Sequence, residues 1–361
     1  MTPQFHPLRI AEVRRETADT VSLAFDVPPG LRDAYRFTAG QFLTLRAKVD
    51  GQELRRSYSI CCAAQDYAER GELRVAVKLV DQGLFSTYLH AAAAAGQEID
   101  VMTPDGRFHV PLDPASARHY VAFAAGSGIT PVMSLIRTTL ATEPRSRFTL
   151  VYGNRNVDSI IFAEALEDLK NQYLARFTLY HVLSRQPQEV ELLHGRLDRE
   201  RVTAFLEALI PPDDIDAAFV CGPATMIDEV EAALQAAGVD PHRIHAERFG
   251  VPAAQERPAP VHAHADHAGT TELVVVLDGK QHAMRLPDSA RVLDTALAAG
   301  LDLPYACKGG VCCTCRAKVL EGKVEMEKNY TLEPWEMEKG FVLTCQARAL
   351  TPRVVVSYDE R

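Results

Sequence analysis

The spacing of hydrophobic and polar residues divides the chain into three stretches of different character. In residues 1–112, short segments alternate between apolar and polar positions, as in "DTVSLAFDV", "QFLTLRAKV", "RRSYSICCA" and "ELRVAVKLV". Period-two alternation is typical of strands with one buried face, so this stretch predicts an antiparallel β-barrel. The run "HAAAAAG" at 90–96 is too short to cross a membrane and predicts helix.

Residues 113–250 show a different pattern, in which apolar strands alternate with amphipathic segments. The strands are "HYVAFAA", "RFTLVYG", "RFTLYHVL" and "AAFVCG", and the helical segments between them include "PVMSLIRTTLAT" and "IIFAEALEDLKNQ". This alternation predicts a parallel α/β sheet. The longest uncharged run, "YVAFAAGSGITPVMSLI", contains glycines and a proline, which favours strand, turn and helix over a membrane span.

The third stretch follows a segment rich in proline and histidine, 251–270, which lacks any hydrophobic period and predicts a linker. Its histidines are a candidate metal site, but no helix or strand would fix them, so we interpret them as solvated. Beyond it, 271–361 predicts a small β-rich domain. Two strands flank a D-G turn in "TELVVVLDGKQHAMRL", a short helix follows in "SARVLDTALAAG", and "TPRVVVSY" closes the sheet.

Composition narrows the class of protein. The chain has 361 residues, is 47% hydrophobic, and carries a formal net charge of −9. Its length suits a globular protein of two or three domains, and its negative charge argues against nucleic-acid binding. The opening "MTPQFHPLRI" lacks a cationic segment followed by an apolar one, so we expect a cytoplasmic protein with reduced cysteines.

Four cysteines stand within nine residues in "CKGGVCCTC", and another follows in "FVLTCQA". The spacing C-x4-C-x2-C with a distant fourth cysteine is the plant-type arrangement for a [2Fe–2S] cluster. Glycines in the loop allow backbone angles that bring amide N–H groups close to sulfur. The sequence therefore predicts four metal ligands: Cys307, Cys312, Cys315 and Cys345.

Other chemistry for these cysteines is less consistent with the sequence. Structural zinc usually takes two short knuckles, whereas here the fourth thiol comes alone and no histidine lies between 307 and 345. A disulfide network requires an oxidising compartment. Cys313 competes as a ligand by position, but the spacing is complete without it, so we interpret it as a small residue packed in the loop. Cys61, Cys62 and Cys221 lack ligand spacing and are interpreted as buried small residues.

Glycine-rich turns and strand ends supply candidate nucleotide sites. "FAAGSGITPVMSLI" places bare backbone between a strand and a helix, where a pyrophosphate can approach, and "FVCGPATM" ends a second strand of the same sheet. In the barrel, "RRSYSI" offers a cation, a ring and a hydroxyl on one strand, and "DQGLFSTYL" begins a helix with small residues. Each of these alone is also compatible with an ordinary turn or a solvated strand face.

In this order, R-x-Y-S, G-x-x-S, G-x-G-x-T-P and C-G-P resemble the ferredoxin–NADP reductase superfamily, here with a plant-type ferredoxin domain at the C-terminus. The resemblance covers essentially the whole chain. At closer range, "RRSYSIC", "LVYGNR", "HAERF" and "LPYACKGGVCCTC" with "GKVEMEKNYTLEPWE" and "FVLTCQA" are similar to the family of reductase subunits of bacterial phenylacetyl-CoA epoxidases. Cys313 departs from that pattern, because a small residue without a thiol is more usual there.

The resemblance implies an FAD-binding barrel at 1–112, an NADP-binding α/β domain at 113–250, a linker at 251–270 and a [2Fe–2S] β-grasp ferredoxin domain at 271–361. It assigns no catalytic acid or base. It implies cofactor-binding roles for three groups of residues: at the flavin Arg56, Ser57, Tyr58, Ser59, Val77, Lys78, Gly83, Phe85, Ser86, Thr87 and, as a cover, Phe249; at the dinucleotide Gly126, Ser127, Gly128, Thr130, Pro131, Cys221, Gly222 and Pro223; and at the ribose 2′-phosphate Arg155, Ser184 and Arg185.

The function that the resemblance implies is electron transfer from NADPH through FAD and a [2Fe–2S] cluster to a diiron monooxygenase, the phenylacetyl-CoA 1,2-epoxidase. No partner among nucleic acids or membranes is expected. An NADH-dependent reductase of another Rieske or diiron oxygenase shares every motif and stays open. A free flavin reductase, which needs no cysteines, and a zinc-stabilised interaction protein stay open as alternatives from other classes.

Overall fold

The computed structural model describes residues 3–250 and 270–360, which form two compact units. One unit spans Phe5–Arg248, and the other contains the described residues from Phe249 onward. The predicted linker lies, apart from Thr270, outside the described residues. No helix in the described ranges is long and apolar enough to span a membrane.

The first part of the larger unit is a six-stranded antiparallel sheet with two helices. Its elements are β1 (Phe5–Thr17), β2 (Thr20–Asp26), β3 (Phe42–Val49), β4 (Gln52–Ser59), α1 (Ala64–Arg70), β5 (Glu72–Lys78), α2 (Leu84–Ala92) and β6 (Glu98–Met102). The run "HAAAAAG" is helical only to Ala92, because the chain turns at Ala93 and the amide of Ala94 bonds the Gln97 side chain.

This sheet closes on itself, as the alternating pattern predicted. The strand order is β4-β3-β6-β1-β2-β5, and the two outer strands meet where Ile60, just beyond β4, pairs with Val75 of β5. The inward-facing residues form one core that includes Leu8, Leu23 and Leu43, all fully buried. Closure removes the unpaired edges that an open antiparallel sheet would expose.

The second part of the larger unit is a five-stranded parallel sheet with helices between its strands, which confirms the predicted α/β architecture. Its elements are β7 (His119–Ala125), α3 (Ile129–Thr142), β8 (Arg147–Asn154), α4 (Ala163–Gln172), β9 (Phe177–Leu183), α5 (Arg199–Ala208), β10 (Ala217–Cys221), α6 (Ala224–Ala236) and β11 (Ile244–Glu247).

The strand order of this sheet, β11-β10-β7-β8-β9, determines where a ligand can bind. The chain moves from β7 to one side through β8 and β9, and later returns to the other side of β7 with β10. The topological switch point therefore lies between β7 and β10, and open α/β sheets bind ligands at the carboxyl edge of that point.

The C-terminal unit contains a five-stranded mixed sheet and a separate two-stranded pair, β15 with β17. Its elements are β12 (Thr271–Leu277), β13 (Lys280–Leu286), α7 (Val292–Ala298), β14 (Arg316–Glu321), β15 (Val324–Met326), α8 (Pro334–Glu338), β16 (Phe341–Leu343), β17 (Ala347–Ala349) and β18 (Arg353–Ser357).

Strands β12 and β13 pair around the predicted D-G turn, where Asp278 and Gly279 both have positive φ, as a type I′ hairpin requires. The order β13-β12-β18-β14-β16 places β18 at the centre of the sheet, parallel to β12. Helix α7 packs its apolar side, including Val292 and Leu293, into the core beneath the sheet. Together the closed antiparallel sheet, the parallel sheet and the mixed C-terminal sheet confirm the predicted multidomain fold.

Candidate functional site

Two helices begin at the switch point of the parallel sheet without a side-chain cap. Helix α3 follows β7 and helix α6 follows β10, and in neither does a side chain accept a hydrogen bond from the first turn. In contrast, Asp198 caps helix α5 by accepting from the amide of Arg201. Uncapped helix N-termini at a carboxyl edge present N–H groups and the positive end of the helix dipole to an anion.

The glycines of the β7–α3 turn have different structural roles. Gly126 has a φ of +53° and open space where a side chain would stand. Gly128 has ordinary angles, but a Cβ there would lie 2.0 Å from the carbonyl oxygen of Cys221. Gly128 is therefore required because the turn touches the end of β10, and this contact joins the two predicted nucleotide motifs, "GSGITP" and "CGP".

Several other residues predicted in this region use their side chains within the turn. The hydroxyl of Thr130, which is buried, donates to the carbonyl of Ser127 at 2.9 Å. Pro131 lies in the first turn of α3, where a missing N–H is tolerated. Gly222 and Pro223 lead from β10 into α6, with Pro223 at the N-cap position. These residues therefore shape the backbone of the two turns.

Two exposed guanidinium groups lie at the carboxyl edge of the neighbouring strands. Arg155 follows β8 and Arg185 follows β9 by two residues, and the amide of Arg185 bonds the carbonyl of Arg155 at 2.8 Å. Ser184, which immediately precedes Arg185, donates its hydroxyl to the carbonyl of Asn154. Within the described residues neither arginine has an ion-pair partner. Both guanidinium groups are therefore available to an anionic ligand.

In the barrel, strand β4 supplies an aromatic stack and polar groups. The ring of Tyr58 packs against that of Phe85 with centroids 6.3 Å apart and an interplanar angle of 23°. Burial raises the pKa of the Tyr58 hydroxyl, so the ring stays neutral. Arg56 is exposed, with one hydrogen bond from its guanidinium to the carbonyl of Arg55. The hydroxyl of Ser57 lies 3.1 Å from that of Thr44, the residue opposite it on the adjacent strand β3.

The turn before α2 is also built as predicted, with Gly83 at the N-cap position. The hydroxyl of Ser86 donates to the carbonyl of Gly83 at 3.0 Å and accepts from the amide of Val80, so it is used inside the turn. Thr87 is exposed. At the end of β5, Val77 is buried, and the ammonium of Lys78 pairs with Asp19 at 3.3 Å.

The barrel and the parallel sheet meet at a polar contact that the sequence analysis did not assign. The hydroxyl of Ser59, at the end of β4, donates to Oε2 of Glu247, at the end of β11, at 3.2 Å. Burial raises the pKa of Glu247 to about 8, partly offset by the Ser59 hydrogen bond. Burial also holds the pKa of the Cys221 thiol well above its usual value, and the Glu247 carboxylate raises it further.

Glu247 was findable in principle. It is the last residue of β11, and the carboxyl ends of parallel strands line the ligand crevice. The motif "HAERF" contributed to the family resemblance, but it did not indicate the contact with Ser59, which lies 188 residues away. Phe249, two residues further on, is 48% exposed, and it lies outside the compact unit that contains Ser59 and Glu247.

In the C-terminal unit, the predicted cysteines come together in two pairs. The Cys312 thiol donates to Cys307 and lowers the pKa of Cys307 to about 5. The Cys315 thiol donates to Cys345 in the same way and lowers its pKa. The hydroxyl and amide of Thr344 both bond the carbonyl of Cys315, at 2.8 and 3.2 Å, which fixes the second pair.

Amide donors and a bare backbone complete this cysteine loop, residues 307–315. The amide of Gly309 donates to the sulfur of Cys307 at 3.3 Å, and Nε2 of Gln346 lies 3.6 Å from the sulfur of Cys345. Gly310 has a φ of +78°, and a Cβ there would lie 2.9 Å from the carbonyl of Lys328. Cys307 is exposed at the rim, whereas Cys315 and Cys345 are buried.

The donor set fits a binuclear iron–sulfur group. Two iron ions bridged by sulfide each take two thiolates, which matches two thiol pairs, and N–H donors to sulfur favour such a group. No three His, Cys, Asp or Glu side chains among the described residues converge as ligands of a single metal ion.

The remaining cysteines agree with the interpretation made from spacing. Cys61, Cys62 and Cys221 are buried. Cys313 has a φ of +57° and its sulfur lies 3.2 Å from the hydroxyl of Thr331, so its side chain packs against the neighbouring segment.

Comparisons with known proteins identify a domain in each of these three parts of the chain. Family models match an oxidoreductase FAD-binding domain at residues 7–110, an oxidoreductase NAD-binding domain at 123–232 and a 2Fe-2S iron-sulfur cluster binding domain at 275–350. The fold and sites therefore define an oxidoreductase that combines flavin-binding, nicotinamide-binding and iron–sulfur domains in one chain.

Individual relatives narrow the class. The chain is 47% identical over 358 residues to a subunit of the 1,2-phenylacetyl-CoA epoxidase of Escherichia coli (strain K12), covering 99% of this chain and 98% of the relative. It is 38% identical over 357 residues to the ferredoxin reductase component of a 3-ketosteroid-9-alpha-monooxygenase from Rhodococcus rhodochrous, covering 97% and 96%. The chain belongs to this family of monooxygenase reductase components.

A solved structure with the same architecture is that of phthalate dioxygenase reductase, described as modular for electron transfer from pyridine nucleotides to [2Fe-2S]. It superposes with a TM-score of 0.60 at 23% identity and covers 98% of both chains. At this identity the likeness concerns the fold, which is shared along the full length.

Proposed function

We propose that this chain takes electrons from NADPH through FAD and a [2Fe–2S] cluster and delivers them to a diiron oxygenase, the phenylacetyl-CoA epoxidase. The observation that carries the proposal is the pairing of the four predicted cysteines around one loop that contains an exposed thiol. Bound flavin accepts an electron pair as hydride and gives up single electrons, and a bound cluster carries one electron at a time.

In this proposal the cluster ligands are Cys307, Cys312, Cys315 and Cys345. The two buried thiols anchor the group to the core of the C-terminal unit, and Cys307 faces solvent together with exposed Lys308. An electron acceptor therefore approaches from the side of Cys307. Gly310 and Val311 in the same loop are buried, so the surface available to a partner on this loop is narrow.

In the larger unit, Tyr58 and the amides at the start of α2 would hold the flavin, the ring by stacking and the amides by hydrogen bonds to its phosphates. Ser59 and Glu247 hold hydrogen-bonding groups in the cleft between the barrel and the sheet, where flavin and nicotinamide must meet. Below its pKa of about 8, the Glu247 carboxyl carries its proton and avoids repelling the electron-rich ring of reduced nicotinamide.

The preference for NADPH rests on Arg155 and Arg185. They are exposed, unpaired within the described residues, and adjacent at the edge where the adenosine end of a dinucleotide lies. Guanidinium groups suit a 2′-phosphate through paired N–H donors. NADH has a 2′-hydroxyl in place of the 2′-phosphate, so it offers these two guanidinium groups no anion to bind.

A second candidate is a reductase for a different oxygenase that uses NADH. The 38% identity to the 3-ketosteroid-9-alpha-monooxygenase component, over nearly the whole of both chains, favours keeping it in the test. Both candidates use the same chain of cofactors, so the partner and the nicotinamide decide between them.

The test combines the purified holoprotein with the oxygenase components of phenylacetyl-CoA epoxidase, phenylacetyl-CoA and NADPH, and measures epoxide. A parallel reaction contains the 3-ketosteroid oxygenase and its steroid, and each is repeated with NADH. We expect epoxide only when the chain and NADPH are present. Product only in the steroid reaction, or equal rates with NADH, would overturn the named partner or the named cosubstrate, provided that cytochrome c reduction shows an active reductase.

A further inference from the structure

A buried ion pair lies directly beside the cysteine loop. Nε of Arg316, the first residue of β14, lies 3.0 Å from Oε1 of Glu336 in α8. The side chain of Glu336 is 0% exposed and that of Arg316 is 14% exposed. The second carboxylate oxygen of Glu336 accepts the amide of Glu333, which closes a capping box at the start of α8.

The pair is tied to the second pair of thiols through the sheet. Arg316 follows Cys315 in the chain and pairs with Leu343 in the β14–β16 register, two residues before Cys345. The guanidinium carbon of Arg316 lies 3.5 Å from the centroid of the Phe341 ring. The ion pair is therefore held by the strand that begins immediately after Cys315 and lies beside the strand that ends two residues before Cys345.

Stability alone does not account for this pair. Removing charges from water carries a desolvation cost that their attraction often fails to recover, and apolar replacements of buried pairs are frequently neutral or stabilising. The same burial weakens solvent screening, so both charges act strongly on any other charge that changes nearby. The charge that changes in this unit is that of a cluster gaining or losing an electron.

We infer that Arg316 and Glu336 each act on the reduction potential of the cluster with opposite sign, so that Glu336 offsets most of the effect of Arg316. This inference rests on the ligand assignment of the proposed function. A guanidinium favours the reduced cluster, which carries one more negative charge, and so raises the potential, whereas a carboxylate lowers it. Arg316 and Glu336 are positioning and tuning residues, because neither is a ligand.

The experiment is an EPR-monitored redox titration of the full-length holoprotein and four variants. Glu336→Gln removes the carboxylate beside Arg316, and we expect the one-electron reduction equilibrium to shift about tenfold toward the reduced cluster, or about 59 mV more positive. Arg316→Gln should shift it in the opposite direction by a similar factor. The double variant R316Q/E336Q should return to within about threefold of the natural chain.

The matched control is Glu338→Gln, which removes the same charge from an exposed position on the same helix. Its reduction equilibrium should stay within threefold of that of the natural chain. A structural role alone would move both single variants in one direction and the double variant further, which would overturn the inference. Should R316Q fail to hold a cluster, E336Q and the double variant still decide. Absence of a [2Fe–2S] signal in the natural chain would instead reject the proposed function itself.

Discussion

The cysteine loop and the flavin–nicotinamide cleft are assembled in opposite ways. In the loop, three of the four proposed ligands lie between residues 307 and 315, so their spacing in the chain nearly determines their chemistry. In the cleft, Ser59 and Glu247 are 188 residues apart and meet only because a barrel packs against a sheet. Loss of a single ligand should therefore be enough to abolish the local site. The assembled site should instead be sensitive to changes in packing, in charge and in pH.

The largest expected effect is the loss of a ligand from the local site. Replacing Cys312 by serine should remove the visible and EPR bands of the [2Fe–2S] cluster and abolish NADPH-driven cytochrome c reduction. Ferricyanide reduction should persist, because ferricyanide takes electrons from the flavin in the other unit. The two activities are measured side by side with iron and sulfide content.

The matched control for Cys312 is its neighbour. Cys313→Ser should keep its iron and sulfide content equal to that of the natural chain and retain cytochrome c reduction, because the Cys313 sulfur lies 3.2 Å from the hydroxyl of Thr331 and the ligand spacing is complete without it. A cluster that disappears from Cys313→Ser, or equal loss of both activities in Cys312→Ser, would show that the loop does not behave as a separate local site.

The next effect tests packing in the assembled site. Gly128→Ala places a Cβ against the backbone of Cys221, and overpacking of this kind costs roughly 1–3 kcal/mol or more. We expect weak nicotinamide binding and a lower melting temperature of the larger unit. Gly126→Ala meets no neighbouring atom and is destabilised only by its positive φ, by about 1–2 kcal/mol. If Gly126→Ala proved the more damaging, the contact between the two motifs would not be the constraint.

A smaller effect tests charge recognition. Replacing Arg155 or Arg185 by alanine should raise the KM for NADPH about ten- to hundredfold, since a hydrogen bond to a charged group is worth roughly 1.5–3 kcal/mol. The KM for NADH should stay nearly constant. Arg145→Ala is the control, because Arg145 is also exposed but precedes β8 at the opposite edge of the sheet. Parallel losses for both nucleotides would remove these arginines from 2′-phosphate recognition.

The smallest effect concerns the pH dependence of the cleft. Because burial raises the pKa of Glu247 from 4.5 to about 8, the stability that its proton confers is complete below about 4.5 and is lost as pH rises through 8. The Glu247→Gln side chain cannot ionise. Between pH 5 and 9, the melting temperature of this variant should therefore rise relative to that of the natural chain. Because Glu247 is partly exposed, we take only about 1 kcal/mol of unfolding free energy for this effect. That corresponds to a rise in melting temperature on the order of 2–4 °C.

Release of flavin fluorescence reports this unfolding, and Glu207→Gln, on the exposed side of α5, is the matched control. For that variant the melting temperature should differ from the natural chain by the same amount at every pH. A Glu247→Gln curve parallel to the natural one would show that this carboxyl does not titrate in the cleft.

The same contrast explains what the sequence could predict. Period-two alternation, strand–helix alternation and cysteine spacing are local properties, and they predicted the barrel, the parallel sheet and the grouping of the thiols. The D-G hairpin of the C-terminal unit followed from the two residues that tolerate positive φ. Contacts between residues that are close in the chain could therefore be predicted from the sequence.

Contacts between residues that are far apart in the chain could not be predicted from the sequence. Glu247 resembles an ordinary charged strand residue until Ser59 is placed beside it, and Gly128 resembles a phosphate-binding glycine until Cys221 is seen against it. The hydroxyls of Thr130 and Ser86 are used within their own turns rather than presented to the cleft. Sequence specifies the type of each side chain, but its hydrogen-bond partner depends on packing between distant segments.

The position of β18 has a consequence for biosynthesis. All four proposed ligands precede β18 in the chain, yet β18 is the central strand of the sheet and pairs with both β12 and β14. During translation the thiols therefore leave the ribosome before the strand that completes their scaffold. We therefore expect stable acquisition of iron and sulfide to follow the emergence of this central strand, after an interval in which the incomplete sheet leaves the cysteines more accessible to oxidants and other metals.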